Sequence, residues 1–217
     1  VEHLRKAGVE LNTMKAVIDK MLNTYVATSI ADYENENNIG LAWDYKIDNR
    51  YNIPLIGNFN KYNVTAALSV LYDMGYTYDD LKDIVTKIKA PMGRMEVVEY
   101  NTNKIIIDYA HTPDAVMKVI NTCRELDVNK IITIIGCGGN RDKGKRPIMG
   151  DIATKLSDYV IFTSDNPRYE DPDKIIEDIV NNLDNNKYEI ESNREIAIKK
   201  GIQLLSNDDI ILVLGTG

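Results

Sequence analysis

From residue 95 onward the chain alternates short β-branched apolar runs with stretches of helical period. The apolar runs are KIIIDYA (104–110), KIITIIG (130–136), DYVIFTS (158–164) and DDIILVLG (208–215), each bounded by turn residues. Helical stretches separate them at about 113–126, 147–157, 172–183 and 193–205. Near-continuous apolar strands alternating with helices predict a parallel sheet covered on both faces. The first ninety residues follow another rhythm. TMKAVIDKML (13–22) places Met14, Val17, Ile18, Met21 and Leu22 on one helical face, and 25–55 reads as two or three antiparallel strands. NKYNVTAALSVLYDMG (60–75) reads as an amphipathic helix closed by Gly75. Thr77, with Asp80 three residues on, resembles a capping box opening a helix over 78–88. KAPMGR (89–94) has the Pro and Gly of a linker, so the pattern predicts an α/β protein with units over 1–90 and 91–217.

Composition narrows the class. The chain has 217 residues, 44% hydrophobic and 27% charged, which is globular rather than disordered and room for one large or two small domains. A net charge of -7 argues against nucleic-acid or membrane-surface partners. Cys123 and Cys137 form no C-x-x-C and accompany only two histidines, so no zinc site is expected and a reducing, cytoplasmic setting fits. No apolar run approaches the roughly 18 residues of a membrane span. The opening VEHLRKAGVELN lacks both a Met and a signal core, and ILVLGTG stops just after a strand and a glycine turn. Both ends read as cut points in a longer protein.

In a parallel sheet, ligands collect at the carboxyl ends of the strands, and the unusual sequences all lie there. GCGGNRDKGKRP (136–147) almost spells a phosphate-binding loop, G-x-x-x-x-G-K-[ST]. That loop needs a hydroxyl after the lysine to ligate Mg²⁺, and Arg146 stands in its place. What remains is a glycine turn followed by Arg141, Lys143, Lys145 and Arg146, either a solvated basic loop or a grip for an anionic group such as a carboxylate. Asp165-Asn166-Pro167-Arg168 follows the next strand; it adds a guanidinium for carboxylates and an acid for an ammonium, an inventory that suits a zwitterionic amino acid. A plain Asx-Pro turn is the competing reading. DYAHTPD places Asp108 at a strand end, where a carboxylate can bind a ribose hydroxyl, with His111 nearby and Thr112 as a cap before Pro113.

These loops, in this order, resemble the Mur ligase family of peptidoglycan synthesis. The matching motifs are IGNFNKYNVTAA, GRMEV, DYAHTPDA, GCGGNRDKGKRPIMG and SDNPR-x-EDP, spanning 56–172, with the strand at 210–215 extending the match. The resemblance implies that 1–90 is the tail of a central α/β ATPase domain and 91–217 most of a C-terminal Rossmann-like domain. It implies ATP and Mg²⁺ as cofactors, with Asn60 and Asn63 at the adenine side, Arg94 near the phosphates, Asp108 on the ribose and His111 in the same motif. Arg141 then matches a residue that binds the incoming amino acid rather than ATP. Asp165, Asn166, Pro167 and Arg168 match the selectivity motif, in the form associated with meso-diaminopimelate. Lysine has no second carboxylate to offset burial of Arg168. The implied reaction is ATP-dependent amide formation by a monomer. The D-glutamate carboxylate of UDP-MurNAc-L-Ala-D-Glu becomes an acyl phosphate, and the diaminopimelate amine displaces phosphate, with positioning and charge supplying most of the catalysis.

The sequence also departs from the family. Its phosphate loop, Mg²⁺ ligands and UDP-binding domain have no match here. After the last strand the family reads G-K-G-H-E, of which Gly215 matches a residue touching the amino acid; Thr216 replaces the lysine and the glutamate is missing. This polypeptide alone is therefore expected not to turn over. A superfamily ligase for another amino acid (lanthionine, lysine or a pseudomurein precursor) and a non-catalytic amino-acid- or nucleotide-binding module remain as alternatives.

Overall fold

The computed structural model describes residues 38–40, 50–183 and 187–215. The helix expected at 13–22 lies outside them, as does most of the strand region 25–55. The chain divides into two compact units, 1–89 and 90–217.

In the first unit, β1 (Asn38–Gly40) and β2 (Arg50–Asn52) pair antiparallel. Helix α1 runs over Asn58–Asp73, and Gly75 beyond it takes the left-handed φ of 93° that a side chain resists. Helix α2 spans Tyr78–Val85. At its start the Asp80 carboxylate accepts from both the Thr77 backbone N–H (2.8 Å) and the Thr77 hydroxyl (2.6 Å). The hydroxyl thus donates to Asp80, and those bonds lower the Asp80 pKa. Tyr51, Ile53, Val64, Leu68, Leu81 and Val85 form the core of this unit.

The second unit is a six-stranded sheet in the order β3-β4-β8-β5-β6-β7. Strands β4 (Asn103–Asp108), β5 (Ile131–Ile135), β6 (Tyr159–Phe162) and β8 (Ile210–Leu214) are the four apolar runs. Two more strands flank them: β3 (Glu96–Tyr100), antiparallel to β4, and β7 (Tyr188–Ile190), parallel to β6. Every residue of β5 and β8 is buried, as expected for central strands covered on both faces. Helices α3 (Pro113–Arg124), α4 (Lys145–Leu156) and α5 (Pro172–Val180) pack side by side. Helix α6 (Arg194–Gln203) lies on β5, β6 and β8, where Ala197 meets Ile132, Ile134, Ile161, Ile211 and Val213. Burying an isoleucine contributes about 2 kcal/mol, so this sheet is a stiff base for its loops.

The chain steps from β4 past a gap to β5, β6 and β7, then returns to insert β8 between β4 and β5. That return brings four carboxyl ends together along one edge: Asp108, Gly136, Ser164 and Gly215. The crevice rule for such sheets places ligands there.

Candidate functional site

Two loops leave neighbouring strands, β5 and β6, and are fastened to each other along their length. Gly139 N–H donates to Asn166 O (2.9 Å), and Arg168 Nη1 donates back to Gly139 O (2.7 Å). Asn140 Oδ1 accepts from Tyr169 N (3.1 Å), while Asn140 N–H donates to the Glu170 carboxylate. The approach is close enough to demand glycine. A Cβ on Gly139 would lie 1.9 Å from the Pro167 carbonyl oxygen, and one on Gly138 would lie 2.9 Å from Arg168 Nη1 and 3.9 Å from Arg141 Cγ. The Arg168 guanidinium and the aliphatic stem of Arg141 therefore both lie over Gly138. Arg168 itself has a left-handed φ of 52°, a cost for a long side chain that turns its guanidinium back across the glycine loop.

Of the four cations in the basic run, three are engaged within the protein. Arg146 is only 1% exposed; it pairs with Glu170 through both terminal nitrogens (3.0 Å each) and with Asp178 at 2.7 Å. Lys143 also reaches Glu170, at 3.3 Å, and Lys145 Nζ donates to His111 O at 2.6 Å. The hydrogen bonds from Arg146, with those from Asn140 and Lys143, hold the Glu170 carboxyl down to about 2. Arg141 is exposed in the loop, whereas Arg146 is buried as part of its support.

The loop after β6 starts at Asp165. Its Oδ1 accepts from Asn166 N (2.7 Å), and its Oδ2 lies 2.7 Å from where a Cβ of Gly215 would stand. Gly215 has φ 110° and donates its N–H to Asp108 O (3.2 Å). This puts Asp108, Gly215 and Asp165 in one continuous line of contacts across three strands. The Asp108 side chain is 8% exposed and accepts the backbone N–H groups of Met95 (2.9 Å) and Ala110 (2.8 Å). Nearby, the Arg94 guanidinium lies over the Tyr109 ring, 4.6 Å from its centroid. Exposed His111 meets that ring edge-on at 4.9 Å, and its Nδ1 is 2.9 Å from Tyr109 O. Thr112 caps α3 through Ala115 N, with Pro113 in the first turn. Asn60 and Asn63 sit on α1 in the first unit; Asn60 donates to Ile56 O (2.7 Å) and Asn63 to Asn60 Oδ1 (3.4 Å).

Neither thiol is set up as a nucleophile. Burial pushes Cys137 up to about 11 and Cys123 up to about 12, and the Cys137 sulfur rests 3.8 Å from that of Met149.

The sequence model of the family described as "Mur ligase, glutamate ligase domain" matches residues 93–217, more than half of the chain and all of the sheet just described. The chain belongs to the Mur ligase family. Among its relatives, a UDP-N-acetylmuramoyl-L-alanyl-D-glutamate--2,6-diaminopimelate ligase of Clostridium acetobutylicum is 40% identical over 204 residues, covering 89% of this chain and 42% of the relative. The Aquifex aeolicus ligase of the same name is 46% identical over 164 residues, 75% of this chain and 34% of its own length. This Mur ligase chain thus spans well under half the length of those relatives. A solved diaminopimelate ligase of that name superposes with a TM-score of 0.59 at 35% identity, covering 83% of this chain and 37% of the other. The Mycobacterium tuberculosis folylpolyglutamate synthase complexed with ADP and AMPPCP shares the fold, with a TM-score of 0.63 at 20% identity over 77% of this chain and 40% of its own.

Several residues of this Mur ligase site escaped the motif reading. Glu170 and Tyr109 lay inside quoted motifs, yet nothing local marks their partners. Gly138 and Gly139 carried a signal, because paired glycines after a strand announce a close backbone approach. Arg194 carried one too: it is a cation in the first turn of a helix, the end that disfavours positive charge.

Proposed function

We propose that this chain is part of an ATP-dependent ligase that joins meso-diaminopimelate to UDP-MurNAc-L-Ala-D-Glu in cytoplasmic peptidoglycan synthesis. In this reading residues 1–90 are the tail of its ATP-binding domain and 91–217 its Rossmann-like C-terminal domain. The observation that carries the reading is that Arg141 and Arg168 both lie over Gly138, with Asp165 and Asn166 alongside. Two guanidiniums and an acid suit a substrate with two carboxylates and an ammonium group, and the relatives are named for 2,6-diaminopimelate.

When bound, ATP would supply the phosphoryl group that activates the substrate carboxylate, and this chain's residues would bind and orient. Arg168 and Arg141 hold the diaminopimelate carboxylates. Asp165 takes an ammonium group, and Asn166 and Gly215 close the site. Arg94, Asp108 and His111 would hold the nucleotide. Asp108 fits such a role, because two backbone N–H donors fix its carboxylate at the carboxyl end of β4, where the crevice lies. Among the described residues no group of three or more His, Cys, Asp or Glu is placed to hold a metal. We assign the Mg²⁺ ligands to the part of the relatives that this chain does not match. No helix among the described residues is long and apolar enough to cross a membrane.

The test is phosphate release by the intact enzyme with ATP, UDP-MurNAc-L-Ala-D-Glu and either meso-diaminopimelate or L-lysine. Release with diaminopimelate alone supports the reading, whereas equal release with lysine, or with neither, overturns it.

A further inference from the structure

Resting on that functional reading, we propose that Arg194 is a positioning residue for the amino-acid site. Its guanidinium fixes the carboxyl end of β8, and through it Gly215, against Asp165.

Arg194 opens α6 immediately after Asn193, whose side chain caps the helix by accepting from Ile196 N at 3.1 Å. A cation in the first helical turn works against the helix dipole, so local helix formation does not explain it. Its side chain turns back to the carboxyl end of β8. There Nη2 donates to Leu214 O at 2.9 Å, on the last residue of β8 and next to Gly215. The other terminal nitrogen, Nη1, is shut off from solvent and meets no acceptor. A buried charged donor left unsatisfied is costly, and such a cost is tolerated where a neighbouring charge or a function depends on it.

The neighbouring charge is Asp165. Burial lowers the Arg194 pKa, and the negative charge of Asp165 opposes that shift. Asp165 Oδ2 is the atom that packs onto Gly215. Arg194 and Asp165 line the same open cavity of about 500 Å³, together with Ser164, Asn166 and Ser192; Glu195 is the other charged group on its wall. One guanidinium therefore joins the start of α6 to the end of β8, on the wall of the cavity that Asp165 also lines. Without it the Leu214 carbonyl loses its tether and Asp165 loses a nearby positive charge. Gly215 and the loop can then move apart, while the nucleotide-side contacts of Arg94 and Asp108 are left in place.

The experiment compares Arg194→Met and Arg194→Lys with the unsubstituted intact ligase. It measures kcat, KM for meso-diaminopimelate, KM for ATP and the thermal midpoint. Arg194→Met keeps the apolar stem and is expected to raise the diaminopimelate KM about tenfold or more, the scale of one charge-assisted hydrogen bond. The ATP KM should stay within about twofold. Arg194→Lys restores charge without the forked donors and should recover part of the loss. An unchanged diaminopimelate KM in Arg194→Met overturns the role, as does a parallel loss for both substrates that follows the loss of folded protein. If the methionine variant does not fold, the lysine variant carries the test: a rise of a few-fold confined to the diaminopimelate KM supports the role, and no rise overturns it. An unsubstituted enzyme that ignores meso-diaminopimelate instead sinks the functional reading, and this role with it.

Discussion

Arg146, in the first turn of α4, and Glu170, in the loop after β6, are joined by two parallel hydrogen bonds, Nη1 to Oε2 and Nη2 to Oε1, both 3.0 Å. Asp178 on α5 meets the same guanidinium at 2.7 Å, so a single buried cation ties α4 to the loop after β6 and to α5.

Arg146→Ala should therefore cost stability out of proportion to one surface charge. Removing one partner of a buried ion pair costs roughly 3 kcal/mol, because the remaining groups lose their compensation. Urea denaturation monitored by circular dichroism would measure it. A loss no larger than that of Lys199→Ala, whose pair with Glu195 is exposed, would contradict the buried clamp.

Acid should loosen the same clamp. The Glu170 carboxyl is held down to about 2 from an ordinary 4.5, chiefly by its bonds to Arg146. A depressed pKa contributes stability that is present above the unfolded value and is lost as pH falls through the folded one. Stability should thus drop between about pH 4.5 and about 2. Asp80 and Glu191 are shifted the same way, so the diagnostic is the difference between the unsubstituted chain and Glu170→Gln. The glutamine variant should show a shallower decline over that range in denaturation series at stepped pH.

Adjacent glycines should respond differently to the same methyl group. In Gly139→Ala the Cβ meets the Pro167 carbonyl at 1.9 Å, which only a backbone shift can relieve, at a cost of about 1–3 kcal/mol. In Gly138→Ala it meets the tip of Arg168, which can swing aside. We expect a lowered thermal midpoint for Gly139→Ala. Gly138→Ala should keep its midpoint but bind the amino acid more weakly. Identical behaviour of the two would contradict the loop packing.

Arg168→Ala tests selectivity directly. In the intact ligase it should weaken meso-diaminopimelate use by about 10- to 100-fold, the worth of a charge-assisted contact. The KM for ATP should change little. Steady-state kinetics with each substrate varied in turn would separate the two, and equal losses would remove Arg168 from the amino-acid site.

Much of this architecture is legible in local pattern. β-Branched runs at residues 104–110, 130–136, 158–164 and 208–215 specify the inner strands because burial on both faces leaves no polar position to confuse the period. Edge strands β3 and β7 do not announce themselves. EVVEY and YEI are half polar and pair on one side only, so their strand character comes from the neighbour they join.

The same division runs through the site. The candidates Asp108, Arg141, the Asp165–Arg168 loop and Gly215 stand out in the sequence because motifs at strand ends are contiguous and their spacing is local. What the four cations after Gly139 each do could not. Arg141 and Arg146 are five positions apart in one basic run, and only the fold buries Arg146 against Glu170 and Asp178 while leaving Arg141 exposed. Arg194 reaches Leu214, twenty residues further along the chain, only because β8 inserts between β4 and β5. Periodicity and turn chemistry are properties of a short segment, so the sequence alone determined the elements and the candidate loops. Charge pairing and desolvation depend on which distant groups are packed alongside, and only the tertiary structure decided those.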